Sequence, residues 1–297
     1  MQKTSVLNFG SLNIDLVYTV PHFIRPGETL ACSSFKRNAG GKGLNQSVAL
    51  ARAGADVWHA GKTGPDGDFL LKTLADAGVH TDYVLRSPEP SGHAVIEVDE
   101  AGGNRILLYP GTNTAITGQE MNSVLDHFPA GTILLLQNEI NGIGFLLREA
   151  RKRGFVTVFN PAPCTPDVKD LPLELVHTLF VNEIEAAQLA EADQDSPPEE
   201  LAERLRGRLP ECGIIITLGS AGALYAGKDA FFRVPAEKVK AIDTTSAGDT
   251  FTGYYLASIL RGYAPEEAMK YASKASGIAV GRPGAARSIP FAEEVFG

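Results

Sequence analysis

Residues 243–253 run Asp-Thr-Thr-Ser-Ala-Gly-Asp-Thr-Phe-Thr-Gly. The small residues Ser246, Ala247 and Gly248 lead into a carboxylate, Asp249, and then into an amphipathic helix pattern. A helix start leaves backbone N–H groups without intrahelical partners and carries positive partial charge. Small side chains there let an anion reach the backbone. A carboxylate beside a bound anion can take the proton of an attacking hydroxyl. Anion cradle plus base is the chemistry of phosphoryl transfer. The stretch equally suits a plain turn followed by an Asp N-cap, and alone it does not choose between the two.

A second cluster lies far upstream. Residues 39–54 read Ala-Gly-Gly-Lys-Gly-Leu-Asn-Gln-Ser-Val-Ala-Leu-Ala-Arg-Ala-Gly. The Gly40-Gly41-Lys42-Gly43 turn lets backbone come close to a polyhydroxyl ligand, and Asn45 offers a donor and an acceptor. The alternative is a flexible turn with Asn45 on a solvated face. Asn13 and Asp15 alternate with Leu12, Ile14 and Leu16, so two polar side chains share one strand face. Such a face suits a sugar, whose hydroxyls donate and accept; a half-exposed strand is the competing account. Glu139 follows the strand-like Ile133–Leu136, at the kind of strand end where open α/β sheets hold ligands. Asn182 and Glu185 follow Thr178–Val181 and also suit an N-cap with an exposed helix carboxylate. Gly41-Lys42-Gly43-Leu44-Asn45-Gln46 lacks the third glycine of a dinucleotide fingerprint. Gly61-Lys62-Thr63 is no P-loop, because the required earlier glycine is replaced by Asp56. None of the six histidines has metal-ligand spacing.

Together the two clusters resemble the paired signatures of the ribokinase (PfkB) family of carbohydrate kinases. Gly10-Ser11-Leu12-Asn13-Ile14-Asp15, Gly27-Glu28-Thr29, Asn160-Pro161-Ala162-Pro163, Asn182-Glu183-Ile184-Glu185 and Thr217-Leu218-Gly219-Ser220 fall in the family's order. The resemblance spans essentially the whole chain. It implies an ATP-dependent sugar kinase that transfers the γ-phosphoryl group to a primary hydroxyl. D-ribose, giving ribose 5-phosphate, is the implied acceptor; another pentose, a hexose or a nucleoside is the alternative. A sugar- or nucleotide-binding protein without chemistry would lack the base or the glycine cradle, and both are present.

The resemblance also assigns residues. Asp249 is the general base, and the N–H groups of Ala247 and Gly248 hold developing charge. Asn13, Asp15, Gly41, Lys42, Asn45 and Glu139 bind the sugar, with Ala94 and Ile96 as an apolar wall over it. Asn182, Glu185, Thr217, Gly219, Gly248 and Ser273 serve the nucleotide and its Mg2+. Asp243, Thr245, Ala279, Gly284 and Ser288 match a K+ site built largely from backbone carbonyls. Three residues depart from the family pattern. Tyr254 stands where a small residue is usual, and Asn138 and His93 bear on which sugar fits.

The elements that must position these groups are legible as patterns. Val6–Phe9 reads as a buried strand, 43–53 and 68–77 as helices, and Val57–Ala60 as a short strand. Beyond residue 115, strands at 132–136, 156–159, 178–181 and 214–218 alternate with helices at 143–152, 184–190 and 198–208. Alternation of this kind argues a mostly parallel sheet flanked by helices. A hairpin near 223–234 and helices at 249–261 and 265–280 complete the set. The extended segments at about 12–20, 30–36 and 92–110, the last turning at Glu100-Ala101-Gly102-Gly103, do not fit inside that sheet. They form a small, discontinuous β layer, which the resemblance implies is a lid over the sugar. The expected organisation is one ribokinase-like α/β domain over 1–297. A layer this small leaves one face open, with Leu16, Tyr18, Phe35 and Leu107 on it, so a homodimer built through the lid is expected.

Composition agrees with a small-molecule enzyme. Apolar residues make up 44% of the 297, ample for a buried core. The net charge of −8, with no Lys/Arg stripe, argues against nucleic-acid binding. Three scattered cysteines, Cys32, Cys164 and Cys212, form no CxxC pair and fit a reducing cytoplasm. No apolar run has membrane-span length, and Met1-Gln2-Lys3-Thr4 does not begin a signal peptide.

Overall fold

The computed structural model describes residues 4–297. The first half runs β1 (Val6–Phe9), β2 (Asn13–Thr19), β3 (Ser34–Gly40), α1 (Lys42–Arg52), β4 (Val57–Thr63), α2 (Asp68–Asp76), β5 (His80–Arg86), β6 (Gly92–Val98), β7 (Asn104–Tyr109) and α3 (Gly118–Leu125). The second half runs β8 (Ile133–Gln137), α4 (Ile143–Arg153), β9 (Val156–Asn160), β10 (Thr178–Asn182), α5 (Glu183–Ala190), α6 (Pro198–Arg208), β11 (Gly213–Thr217), β12 (Ala223–Ala226), β13 (Phe231–Val234), α7 (Ala247–Leu260), α8 (Pro265–Val280) and α9 (Ala292–Phe296).

Among the described residues, nine strands form the large sheet in the order β13-β12-β11-β10-β9-β8-β1-β4-β5. The pairings from β11 to β5 are parallel, and β12 and β13 add an antiparallel edge. Strands buried on both faces need near-continuous apolar runs. Val6–Phe9 and Ile133–Gln137 are buried at every position. One face packs against α3, α4, α5 and α6, the other against α1, α2, α7, α8 and α9. From β1 the chain moves outward to β4 and β5, then returns through β8 on β1's other side. The strand order therefore reverses between β1 and β8, and open α/β sheets hold ligands beyond the carboxyl ends of their strands near such a reversal.

Four strands form a second sheet in the order β3-β2-β6-β7. The second of its expected segments, 30–36, is displaced: the strand is Ser34–Gly40. The sequence Ser-Phe-Lys-Arg-Asn-Ala-Gly alternates poorly and is largely exposed, so backbone pairing with β2 sets its bounds. β5, α3 and α9 lie in stretches with no predicted element. β5 is an edge strand without a fully buried position. The signal for α3 is its capping box, Thr117 with Glu120. The helix after Ser246 is not amphipathic: Asp249 to Ser258 are all buried, because α7 lies between α1 and α8.

Close approach of backbones sets where α1 begins. A Cβ on Gly43 would lie 2.3 Å from the Ser11 nitrogen and 2.6 Å from the Gly10 carbonyl carbon. Helix propensity favours Ala over Gly by about 1 kcal/mol. Overpacking costs about 1–3 kcal/mol, and backbone neighbours cannot rotate away. Gly43→Ala is therefore expected to lower the thermal unfolding midpoint; an unchanged or raised midpoint by calorimetry would show that the two segments can separate freely.

Candidate active site

The carboxyl edge of the large sheet gathers the chemistry. β1 ends in Gly10-Ser11, β8 in Gln137 and then Glu139, β9 in Asn160, β10 in Asn182 and β11 in Thr217. The first turns of α1 and α7 meet there. Asn45 Nδ2 donates to Asp249 Oδ2 at 3.0 Å, and Gln46 Nε2 donates to Asp249 Oδ1 at 2.9 Å. Asp249, in the first turn of α7, is 7% exposed, so its carboxylate is held between two amides near the protein interior. Asn45 Oδ1 is buried without a hydrogen-bond partner, an acceptor left over for a ligand.

Asp249 lines one cavity, and a second lies next to it at the start of α7. One, of about 220 Å³, is lined by Lys42, Asn160, Asn182, Glu185, Thr217, Gly248 and Asp249, among others. The other, of about 300 Å³, is lined by Thr217, Gly219, Ala247, Gly248, Ser273 and Gly277, among others. Thr217 and Gly248 border both, so the two form one trough over the start of α7. Nothing lies within 4 Å of where a Gly248 Cβ would be, and a side chain there would fill the trough. The Ala247 N–H is turned back to the Thr244 carbonyl at 3.2 Å, so in this conformation it is not offered to the trough as expected. Ser246 carries the helix start in a left-handed conformation, φ 64°.

Lys42 was grouped with the sugar residues, but it also lines the smaller cavity with Asn182 and Glu185. Burial opposes its charge, yet Asp249, Glu139 and Glu185 together hold its ammonium above the ordinary lysine value. Asn182 and Glu185 form a reciprocal capping box at the start of α5. The N-cap half of the plain account thus holds as geometry, but the Glu185 carboxylate is buried and not exposed, and both residues line the cavity. Burial pushes the Glu185 carboxyl up.

The four-stranded sheet brings a polar face to the same place. Asp15 pairs with Ala94, Val17 with Ile96 and Asn13 with Gly92, so Asn13, Asp15, Ala94 and Ile96 share one face. Asn13 Oδ1 accepts from Asn113 Nδ2 at 2.7 Å. Burial, with the nearby charge of Glu139, pushes the Asp15 carboxyl up to about 7. Glu139 Oε2 accepts from Ser11 Oγ at 2.5 Å and from the Lys42 N–H at 2.9 Å, capping α1 from outside the helix. Gly41, at φ 93°, supplies the turn that this cap requires.

The residues matched to a cation site join two loops beside the trough. Asp243 Oδ1 accepts from the Thr245 N–H, and Asp243 Oδ2 from the Gly284 N–H, each at 2.9 Å. Ser246 and Ser288 both donate to the Ala285 carbonyl. Ala279 is fully buried in the last turn of α8.

The departures resolve by contact. Tyr254 is fully buried, donates to the Pro290 carbonyl at 2.7 Å and stacks on Phe296. His93 pairs with Ile14 and packs on Tyr109, on the sheet face opposite Asp15. Asn138 donates to the Pro163 carbonyl and to Thr165, tying two loops together. Sequence reasoning missed Ser11, Gln46, Asn113 and Gln137 as part of the site. Gln46 stands beside Asn45 in the motif, but nothing local tells which distant group it meets.

The pfkB family carbohydrate kinase model matches residues 3–292. The ribokinase of Staphylococcus aureus is 34% identical, with 98% of each chain covered. The crystal structure of Cryptococcus neoformans ribokinase in complex with ADP superposes with a TM-score of 0.84 at 32% identity, covering 99% of each chain. The Arabidopsis thaliana ribokinase complexed with ribose and ATP superposes with a TM-score of 0.88 at 27% identity, covering 100% of this chain and 98% of that one. Match, coverage and fold agree over the full length: the chain belongs to the pfkB family of carbohydrate kinases.

Proposed function

We propose that this chain is an ATP-dependent ribokinase, making ribose 5-phosphate from D-ribose. The observation that carries this is the Asp249 carboxylate, held by two amides where the trough meets the polar crevice. The relatives named above, one bound to ribose and ATP, support the choice of substrates. Asp249 would take the proton of the ribose 5-hydroxyl while its oxygen forms a bond to the γ-phosphorus. The bond from that phosphorus to ADP breaks, and the proton later passes to solvent. Lys42 and the first-turn N–H of Gly248 would face the charge that spreads over the transferring group, a donor of this kind contributing about 2.7–4 kcal/mol. Asn13, Asp15, Asn45 and Glu139 would hold the sugar hydroxyls. The four-stranded sheet would act as the lid that excludes water, so that ATP is not hydrolysed. A panel of pentoses, 2-deoxyribose, hexoses and nucleosides in an ATP-consumption assay tests the reading. A nucleoside or hexose preferred over ribose would overturn it.

Asn182 and Glu185 would hold the water shell of Mg2+, which shares its coordination with phosphate oxygens and needs no all-protein cage. Asp243, Thr245, Ala279, Gly284 and Ser288 would hold K+. The fit rests on the Asp243 carboxylate, which draws the 243–245 and 284–288 loops together. Ser246 links those loops to the start of α7, so ordering them would order the trough. Exchanging potassium for a bulky organic cation at fixed ionic strength is expected to lower the rate severalfold; an unchanged rate would remove the site.

The partner would be a second copy of the chain. Ile106, Leu107, Leu108 and Tyr109 are all exposed on β7, an open sheet edge. On the face opposite Asp15, Tyr18 packs on Phe35, which is 52% exposed. A two-fold homodimer through these sheets is expected, and charged substitutions at Tyr18 and Leu107 should dissociate it. A monomer by light scattering at micromolar concentration would defeat this. No helix among the described residues is long and apolar enough to cross a membrane. With three free cysteines, a cytoplasmic location fits this chemistry.

A further inference from the structure

A chain of buried amides runs from Asp249 into the middle of the sheet. Gln46, fully buried on α1, splits its two N–H groups between Asp249 Oδ1 at 2.9 Å and Asn160 Oδ1 at 3.1 Å. Its own oxygen accepts from Gln137 Nε2 at 2.7 Å, and the same nitrogen donates to Asn8 Oδ1 at 3.0 Å. Asn8 Nδ2 donates to Ser47 Oγ at 2.8 Å, and Ser47 Oγ lies 2.8 Å from His59 Nδ1.

Chemistry sets the orientation of each amide along this chain. A carboxylate only accepts, so the Gln46 atom facing Asp249 must be the amide nitrogen. Its oxygen then faces Gln137, which must present nitrogen, and Asn8 in turn must present oxygen to Gln137. Ser47 Oγ receives from Asn8 Nδ2 and shares one further proton with His59 Nδ1, the histidine tautomer deciding which of the two donates. His59 is neutral, because burial pushes its imidazole down to about 3. A flip at any one amide would set donor against donor or oxygen against oxygen at fully buried atoms, where unpaired groups are costly.

We infer that Gln46 is a positioning residue for the general base, its amide setting the plane of the Asp249 carboxylate and the Gln137–Asn8–Ser47–His59 chain setting the amide. The inference rests on the kinase reading. Asn45 and Gln46 each occupy one lone pair on a different carboxylate oxygen, leaving the others for the acceptor hydroxyl. Ordinary packing would explain a buried glutamine, but not one whose two donors are divided between the base and the Asn160 wall of the same cavity.

Gln46→Met keeps length and removes both donors, and Gln137→Met breaks the chain one step away. Gln46→Met is expected to lower kcat about 10–100-fold, the worth of one hydrogen bond to a charged group. KM for ribose and ATP should stay within about threefold, since the lost contact touches neither substrate. Gln137→Met should show a smaller fall of the same kind. Crystal structures of parent and Gln46→Met should differ in the Asp249 carboxylate plane. An unchanged plane overturns the inference even if the parent phosphorylates no sugar, a result that would sink the kinase reading alone. So would kcat within twofold of the parent in both variants, or parallel losses of kcat, both affinities and melting temperature.

Discussion

Asp249→Asn is expected to abolish sugar phosphorylation and to leave the fold and nucleotide binding intact. The side chain keeps its size, and the position loses a negative charge from a cluster that already holds Glu139 and Glu185. Destabilisation should therefore be small. An asparagine cannot take the proton of a hydroxyl. It also sets its own NH2 against one of the two donors, Asn45 Nδ2 or Gln46 Nε2, that now serve the carboxylate. Loss of a general base costs about 10²–10⁴-fold in rate. Single-turnover phosphorylation and nucleotide affinity on the purified variant measure both halves of the expectation. Turnover within about tenfold of the parent would mean that Asp249 holds the site together without acting as its base.

Asp15→Ala should produce the second-largest effect, on the sugar alone. Asp15 projects from β2 on the same face as Ala94 and Ile96, away from the trough residues Thr217, Gly219 and Ser273. Each hydroxyl that donates to an ionised carboxylate is worth about 1.5–3 kcal/mol, so ribose affinity is expected to fall at least about tenfold while ATP affinity holds. Equal weakening of both by calorimetry would make Asp15 structural. The parent should also show a pH signature. With the Asp15 carboxyl pushed up to about 7, the free protein is partly protonated there at neutral pH. Hydroxyl donors favour the ionised form, so ribose binding should release a proton and tighten as pH rises through 7. Calorimetry in buffers of different ionisation enthalpy counts that proton. The sign for stability is opposite. The folded value lies above the unfolded one of 3.8, so the native state holds a proton that the unfolded state has lost. This contribution is fully present below pH 4 and disappears as pH rises through 7. Asp15→Asn should flatten that fall.

The glycine-rich turns, the carboxylate at 249 and the polar alternation of Asn13 and Asp15 were legible because each depends on neighbours within a few residues. So were the apolar runs of β1, β8 and β11 and the helices between them, since burial on both faces leaves an unbroken pattern. β5 and the true bounds of β3 were not. Both are exposed strands whose existence depends on pairing partners, Val57–Thr63 and Asn13–Thr19, and not on their own composition. The same limit governs the site. Sequence named Asp249 and Asn45 separately, but their hydrogen bond spans 204 residues. Nor could local pattern reveal that Gln46 reaches the same carboxylate, that Glu139 caps α1 across 97 residues, or that burial, with Glu139 nearby, pushes the Asp15 carboxyl up. Residue type determines what a side chain can donate or accept. Which donor meets which acceptor, and how much water lies between them, is decided only when packing brings distant segments together and removes the solvent.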